Sequence, residues 1–174
     1  MQRIRVVLST MALLHSFPAA GQKPAGFSGV WQMDASRSES AHQAAPIGRV
    51  TLIIKQSPSE LTIDTKRSGA DGKAASSEIL TYSLDGTERP VAGSSGATVK
   101  AKARWDGNKL ITETARDVQG STVTTVYVFS LDASGKELTV DKTLTVQHGY
   151  QFQGATNTGT GRDVFIRSKG SVHR

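Results

Sequence analysis

Apolar and polar residues alternate with a period of two along most of this chain, and turn-forming residues interrupt the alternation at fairly regular intervals. Side chains on a strand point to opposite faces in turn, so this pattern predicts consecutive antiparallel strands, and helical periodicity is nearly absent. A first strand is expected over 27–33 and a second over 49–56, with Val50, Leu52 and Ile54 on one face. After the turn at Ser57-Pro58-Ser59, Leu61 and Ile63 alternate with Thr62, Asp64 and Lys66 in a third strand. The polar stretch 68–77, containing Asp71-Gly72, leads to a fourth strand over 78–84 that Asp85-Gly86 closes.

Beyond a loop through Pro90, Gly93 and Gly96, a fifth strand sets Ala97, Val99, Ala101, Ala103 and Trp105 against Thr98, Lys100, Lys102 and Arg104. Asp106-Gly107-Asn108 suits a tight hairpin, since such residues tolerate positive φ, and 110–117 returns as the sixth strand. Segments 122–131 and 136–147 pair across Asp132-Ala133-Ser134-Gly135 as the seventh and eighth. The Gly- and Thr-rich stretch 149–161 is expected to be a loop, and 163–168 a short last strand. The insert 34–45 lacks an apolar stripe and ends before Pro46, so it predicts a loop or a single helical turn over one end of the sheet. Roughly nine sequential strands with short hairpins predict an all-β up-and-down meander, closed into a barrel of about eight to ten strands. Closure removes sheet edges, and no amphipathic helix exists to cover an open apolar face.

The first residues break this pattern. Arg3 and Arg5 precede an apolar run from Val6 through Leu14 to Phe17, and the small residues Ala19, Ala20 and Gly21 follow Pro18. That order reads as a secretory leader over 1–21, cleaved before Gln22, with a single barrel domain over 22–174. The run falls short of the roughly 20 apolar residues a membrane span needs. With no cysteine in the chain, neither a lipid anchor nor a disulfide is available, and Arg3-Ile4-Arg5 is not a twin-arginine pair. Export unfolded, to a bacterial periplasm or the exterior, is the expected setting.

Charge adds little. The chain has 21 basic and 15 acidic residues, net +6, and loss of Arg3 and Arg5 leaves 19 − 15, or +4. Aromatics are only 6% and most lysines alternate along strands, which argues against nucleic-acid binding.

Candidate chemistry is equally sparse. His42, His148 and His173 have no ligand-spaced neighbours, so no metal is expected. Gly93-Ser94-Ser95-Gly96 is not a nucleophile elbow, and the glycines of 154–161 lack the Gly-Lys pair of a phosphate loop. Asp64, Glu113, Asp117 and Asp141 alternate with apolar residues and read as solvated, leaving no nucleophile or base and no cofactor. Two features point to a ligand cavity. Ala97, Ala101 and Ala103 project little volume inward and could leave room, unless Tyr127 and Phe129 fill it. On the eighth strand the apolar row Leu138, Val140, Leu144 and Val146 is interrupted by Lys142, which needs an anionic partner if it faces inward. A bulge, or a stem reaching the barrel mouth, would instead carry it outward.

The segment Phe27-Ser28-Gly29-Val30-Trp31, followed by an unbroken meander and by Arg167 on the last strand, resembles the lipocalin and fatty-acid-binding barrels. Gly29-Val30-Trp31-Gln32-Met33-Asp34, Tyr82-Ser83-Leu84-Asp85-Gly86, Trp105-Asp106-Gly107-Asn108-Lys109-Leu110 and Ser134-Gly135-Lys136-Glu137-Leu138-Thr139 are similar to a group of exported bacterial lipocalin-like proteins. The resemblance implies that Gly29, Trp31 and Arg167 close one end of the barrel, the cation packed on the indole. The Arg-x-Tyr pair that grips a carboxylate in fatty-acid-binding barrels is not carried over, because this chain has Phe165-Ile166-Arg167 there.

Two readings follow. One is a binding module for a small, partly apolar or amphiphilic ligand, anionic if Lys142 faces inward, with Lys142, Ala101, Ala103, Trp105, Tyr127 and Phe129 as candidate lining. The other is a filled structural or protein-interaction barrel acting through its loops or the stripe Lys100, Lys102 and Arg104. An enclosed volume of about 300 Å³ or more favours the first.

Overall fold

A computed structural model of the protein describes residues 26–42, 48–69, 73–93, 96–149 and 154–168. Ten strands follow one another: β1 (Gly29–Met33), β2 (Val50–Gln56), β3 (Glu60–Ser68), β4 (Ala74–Ser83), β5 (Arg89–Ala92), β6 (Thr98–Asp106), β7 (Lys109–Val118), β8 (Ser121–Leu131), β9 (Glu137–Gln147) and β10 (Thr156–Arg167). Their order in the sheet is β4-β3-β2-β1-β10-β9-β8-β7-β6-β5, so chain neighbours are sheet neighbours and the β1–β10 pair joins the two ends of the chain.

The meander curls into a nearly closed barrel. β4 and β5 are its edges and lie against each other, and β4 also meets β6. The β4–β5 turn completes that side, because the Gly86 amide donates to the Ala103 carbonyl at 3.0 Å. Local chemistry sets the hairpins. Asp106 pairs with Lys109 across the two-residue turn Gly107-Asn108. At the next hairpin Gln119 and Gly120 both have positive φ, 53° and 78°, the backbone twist that a two-residue turn between right-twisted strands requires.

Connections β2–β3, β4–β5, β6–β7 and β8–β9 lie at one end, which Phe27 and Trp31 fill with side chains of no solvent exposure. Connections β3–β4, β5–β6, β7–β8 and β9–β10 lie at the opposite, open end. The segment between β1 and β2 begins with two short 3₁₀ turns, Ala35–Arg37 and Glu39–His42, in place of the loop or single helical turn expected there. It runs along β10: Asp34 N donates to Val164 O at 2.8 Å, and the Ser38 hydroxyl bonds both the amide and the carbonyl of Val164.

Two elements depart from the sequence expectation. β5 falls where Pro90, Gly93 and Gly96 predict a loop; the strand is only four residues long, and proline is tolerated there because it is an edge. The stretch 156–161, also expected to be loop, is the first half of β10 and pairs in unbroken register with β9, from Thr156 opposite Gln147 to Gly161 opposite Lys142. Thr156, Thr158 and Thr160 keep the period of two and suit a pleated outer face, whereas Gly159 and Gly161 fall on the inner one. The leader over 1–21 with its Gln22 start, Asp71-Gly72, Ser94-Ser95 and His173 lie outside the described residues. Among the described residues no helix is long and apolar enough to cross a membrane.

Candidate ligand-binding cavity

Five strands show one gradient along their inner faces from the closed end toward the open end. On β3 it reads Leu61, Ile63, Thr65, Arg67; on β4, Tyr82, Leu80, Glu78. On β8 Phe129 gives way to Tyr127, on β9 Leu138 and Val140 to Lys142, and on β10 Phe165 to Asp163. Five strands thus change from apolar to polar or charged at comparable depth. On these strands the interior has an apolar floor and a polar upper wall.

A cavity of about 110 Å³ sits at that change. Leu52, Ile63, Leu80, Phe129, Val140 and Phe165 form its apolar side. Its polar side is Ser40, Thr65, Arg67, Glu78, Tyr127, Lys142 and Asp163. Two of these charges are satisfied. Glu78 accepts from Arg116 of β7 at 3.1 Å, a half-buried ion pair across the inner face. Asp163 accepts from the Ser40 amide at 2.9 Å and the Ser40 hydroxyl at 2.5 Å, which ties the 3₁₀ segment to the cavity wall. Arg67, Lys142 and Tyr127 are different, for none of their side chains makes a hydrogen bond or ion pair with another described residue. Burial pushes the Tyr127 hydroxyl above its ordinary pKa while the Arg67 charge pulls the other way, so it stays a protonated donor.

Lys142 is on the same face as Leu138 and Val140, and β9 pairs without a register break with both β8 and β10. No bulge turns it outward. It stands directly opposite Tyr127 on β8 and Gly161 on β10, and a Cβ at that glycine would meet Glu39 Oε2 at 3.6 Å.

The closed end is built from other residues. Trp31 pairs with Arg167 in the β1–β10 ladder, and the guanidinium carbon lies 4.1 Å from the indole ring centroid. Arg167 also donates to the carbonyls of Gly135, Ser28 and Gly26, at 2.8, 2.6 and 3.1 Å, and the Trp31 indole donates to Phe27 O at 2.9 Å. Gly29, at φ +149°, lets Arg167 pass: a Cβ there would lie 2.6 Å from Nη1.

Several solved structures share this architecture. A REP1-NXSQ fatty acid transporter superposes with a TM-score of 0.54 at 13% identity, over 83% of this chain and 97% of that one. Lipid binding protein 8 of Caenorhabditis elegans does so with a TM-score of 0.54 at 12% identity, covering 82% and 95%. Human cRBP IV gives a TM-score of 0.52 at 14% identity, covering 83% and 100%. The chain shares the barrel fold of these three proteins. No protein-family model matches the chain, and no curated protein does.

Of the residues singled out in the sequence, Lys142, Tyr127 and Phe129 line the cavity together. Ala101, Ala103 and Trp105 do not. The alanines are 1% exposed within the packed core, and Trp105 packs on Phe27 with ring centroids 5.9 Å apart. Arg67, Glu78, Asp163 and Ser40 were missed. For the first three the signal was present, because Arg67 continues the period of Leu61 and Ile63, Glu78 that of Leu80 and Tyr82, and Asp163 that of Phe165. Ser40 reaches the wall only through tertiary folding of the insert. The four carboxylates read as solvated do face outward: Glu113 pairs with Lys102 at 3.0 Å, Asp141 with Arg162 at 2.6 Å and Asp64 with Lys66 at 3.6 Å, and Asp117 accepts from Gly120 N at 3.1 Å.

Proposed function

We propose that this protein is an exported binding module that holds a small, partly apolar molecule inside its barrel. The observation that carries this reading is the cavity itself, apolar on its floor and lined above by polar groups that have no partner among the described residues. Arg67, Lys142 and Tyr127 are half-buried and converge on one enclosed space, so a lining that leaves their side chains without a protein partner suits a polar guest. The barrels that share the fold include a fatty acid transporter and a lipid binding protein, which supports a hydrophobic guest. The size of the cavity limits that guest. A water occupies roughly 10–15 Å³ of such space, so about 110 Å³ suits a short chain or a single ring.

The experiment is native mass spectrometry of protein purified from its own host, where a small molecule retained at one per chain supports the reading. Export rests on Arg3, Arg5, the apolar run to Phe17 and the small residues before Gln22. An intact mass starting at Gln22 or Gly21 supports it, and a mature chain retaining Arg3 and Arg5 rejects it. A second reading, a filled interaction barrel, is favoured by the volume, which is below the roughly 300 Å³ of common ligand pockets.

A further inference from the structure

We infer that the cavity takes a monoanionic amphiphile tail first, its headgroup held toward the open end by Arg67, Lys142 and the Tyr127 hydroxyl and its chain on the apolar floor. This rests on the ligand-binding reading above and adds the chemistry and orientation of the guest.

The three groups come from β3, β9 and β8 and face one cavity. Tyr127 and Lys142 are direct cross-strand partners, which places their Cβ atoms about 4.5–5.5 Å apart, and Arg67 is near enough to act on the Tyr127 hydroxyl. A guanidinium and an ammonium only donate, and the phenol oxygen is the one acceptor the three groups share. Their donors therefore outnumber what they can offer one another, and in a partly enclosed space the two cations repel. An anion resolves both problems, through charge-assisted hydrogen bonds of the stronger kind.

The charge of the guest follows from its surroundings. Of the charged residues on the wall, Glu78 is neutralised by Arg116. Arg67, Lys142 and Asp163 remain, a balance of one positive charge. The Asp163 carboxylate accepts from Ser40 and faces the same space, so a dianion would leave the site with a net negative charge, which a carboxylate or sulfonate does not. Orientation follows from the gradient along the strands, since the cavity lining below the cations is mostly apolar, from Ile63 and Leu80 to Val140 and Phe165, and the hydroxyls of Thr65 and Tyr82 among it carry no charge. A buried carboxylate on that floor would find hydroxyls but no cation, whereas an alkyl chain gains from contact with it.

The test is calorimetric and NMR titration of the purified protein with butanoate, hexanoate, octanoate and decanoate, the 1-alkanols of equal length, and octyl phosphate. The expected result is that acids bind about tenfold or more tighter than the matched alcohols, with octyl phosphate no tighter than octanoate. Arg67→Gln and Lys142→Met should each remove most of that preference while alcohol affinity stays within about twofold. In the parent protein, NOEs should run from the ligand's terminal methyl to Leu80, Val140 and Phe129. Equal binding of acids and alcohols overturns the anion site and leaves the binding module standing. Terminal-methyl NOEs confined to the open end overturn the orientation, and tighter binding of octyl phosphate overturns the monoanion. Absence of binding by acids and alcohols alike rejects the binding module, and the anion site with it.

Discussion

Arg167 stands directly opposite Trp31 in the β1–β10 ladder and lays its guanidinium 4.1 Å from the indole centroid, so the first and last strands are joined by side chains as well as by backbone. Trp31 has no solvent exposure, and its indole nitrogen is bonded to Phe27 O. Trp31→Ala should therefore cost about 3–5 kcal/mol in urea unfolding, as loss of a large core aromatic does. A double-mutant cycle with Arg167→Met should give a coupling of about 0.5–2 kcal/mol. A surface-like cost for Trp31→Ala would remove this pair from the account of barrel closure.

Gly29 carries the same contact from the backbone side. A Cβ at this position falls 2.6 Å from Arg167 Nη1, and φ of +149° is outside the range that L side chains adopt readily. Gly29→Ala is expected to destabilise by more than about 1 kcal/mol, and pairing it with Arg167→Met should recover the part due to the clash but not the part due to φ. Thermal unfolding of the three variants separates the two contributions.

How much of this was legible depended on whether local signals agreed. Over β6 to β9, alternation and turn chemistry pointed the same way, and Asp106-Gly107-Asn108 and 132–135 joined strands as their residue types predicted. β5 carries Pro90 and the first half of β10 is Thr alternating with Asn and Gly, compositions that favour loops, yet the neighbouring strands β6 and β9 recruit both by offering free ladder positions. For the cavity, Lys142 was visible as a break in an apolar row. Arg67, Glu78 and Asp163 also keep the inner-face period of their strands, but each is a charge at the end of an apolar row, bordering a polar stretch, where a solvated side chain is the simpler reading. The small side chains of Ala101 and Ala103 suggested room, but what packs against them is set by strands far away in the chain, and the room lies between other walls.

The tie between the 3₁₀ segment and the barrel depends on a single carboxylate. Asp163 accepts both the amide and the hydroxyl of Ser40. Replacing it with Asn keeps the shape but weakens acceptors that benefit from charge, at about 1 kcal/mol or a little more for the pair of bonds. Hydrogen exchange should show the amide of Ser40 losing protection in Asp163→Asn while the ladders of β6 to β9 keep theirs. Unchanged protection would mean that the Ser38–Val164 bonds hold the segment alone.

The β8–β9 turn makes part of the stability dependent on acid pH. Asp132 accepts from the Ser134 hydroxyl and from the amides of Ser134, Lys136 and Glu137. The Ser134 hydroxyl, then the backbone amides, lower its pKa from 3.8 to about 2. A carboxylate whose folded pKa is depressed stabilises the fold above its unfolded value and loses that contribution as pH falls through the folded one. Asp132→Asn should therefore be less stable than the parent at neutral pH, with the difference closing between about pH 4 and pH 2. A difference that persists unchanged to pH 2 would show that the side chain acts there as a neutral cap.

Leu80 joins stability to ligand choice. It lies on the cavity floor, 7% exposed, on β4 at the edge of the sheet. Leu80→Ala should cost about 2–5 kcal/mol, toward the lower end if the edge strand relaxes inward, because the cost of such a truncation grows with the volume left unfilled. If β4 does not collapse, the removed side chain extends the apolar floor beneath the guest. A ligand that lies with its chain on that floor then has room for more carbons, so the chain length bound best among butanoate, hexanoate, octanoate and decanoate should move upward. Acid-over-alcohol preference should be unaffected, since Arg67, Lys142 and Tyr127 are untouched. Two measurements decide it: unfolding free energy, which reports how far the site collapses, and the chain-length optimum, which reports where the tail lies. A large loss of stability with an unchanged optimum would mean that the new space is real and the ligand chain does not reach it.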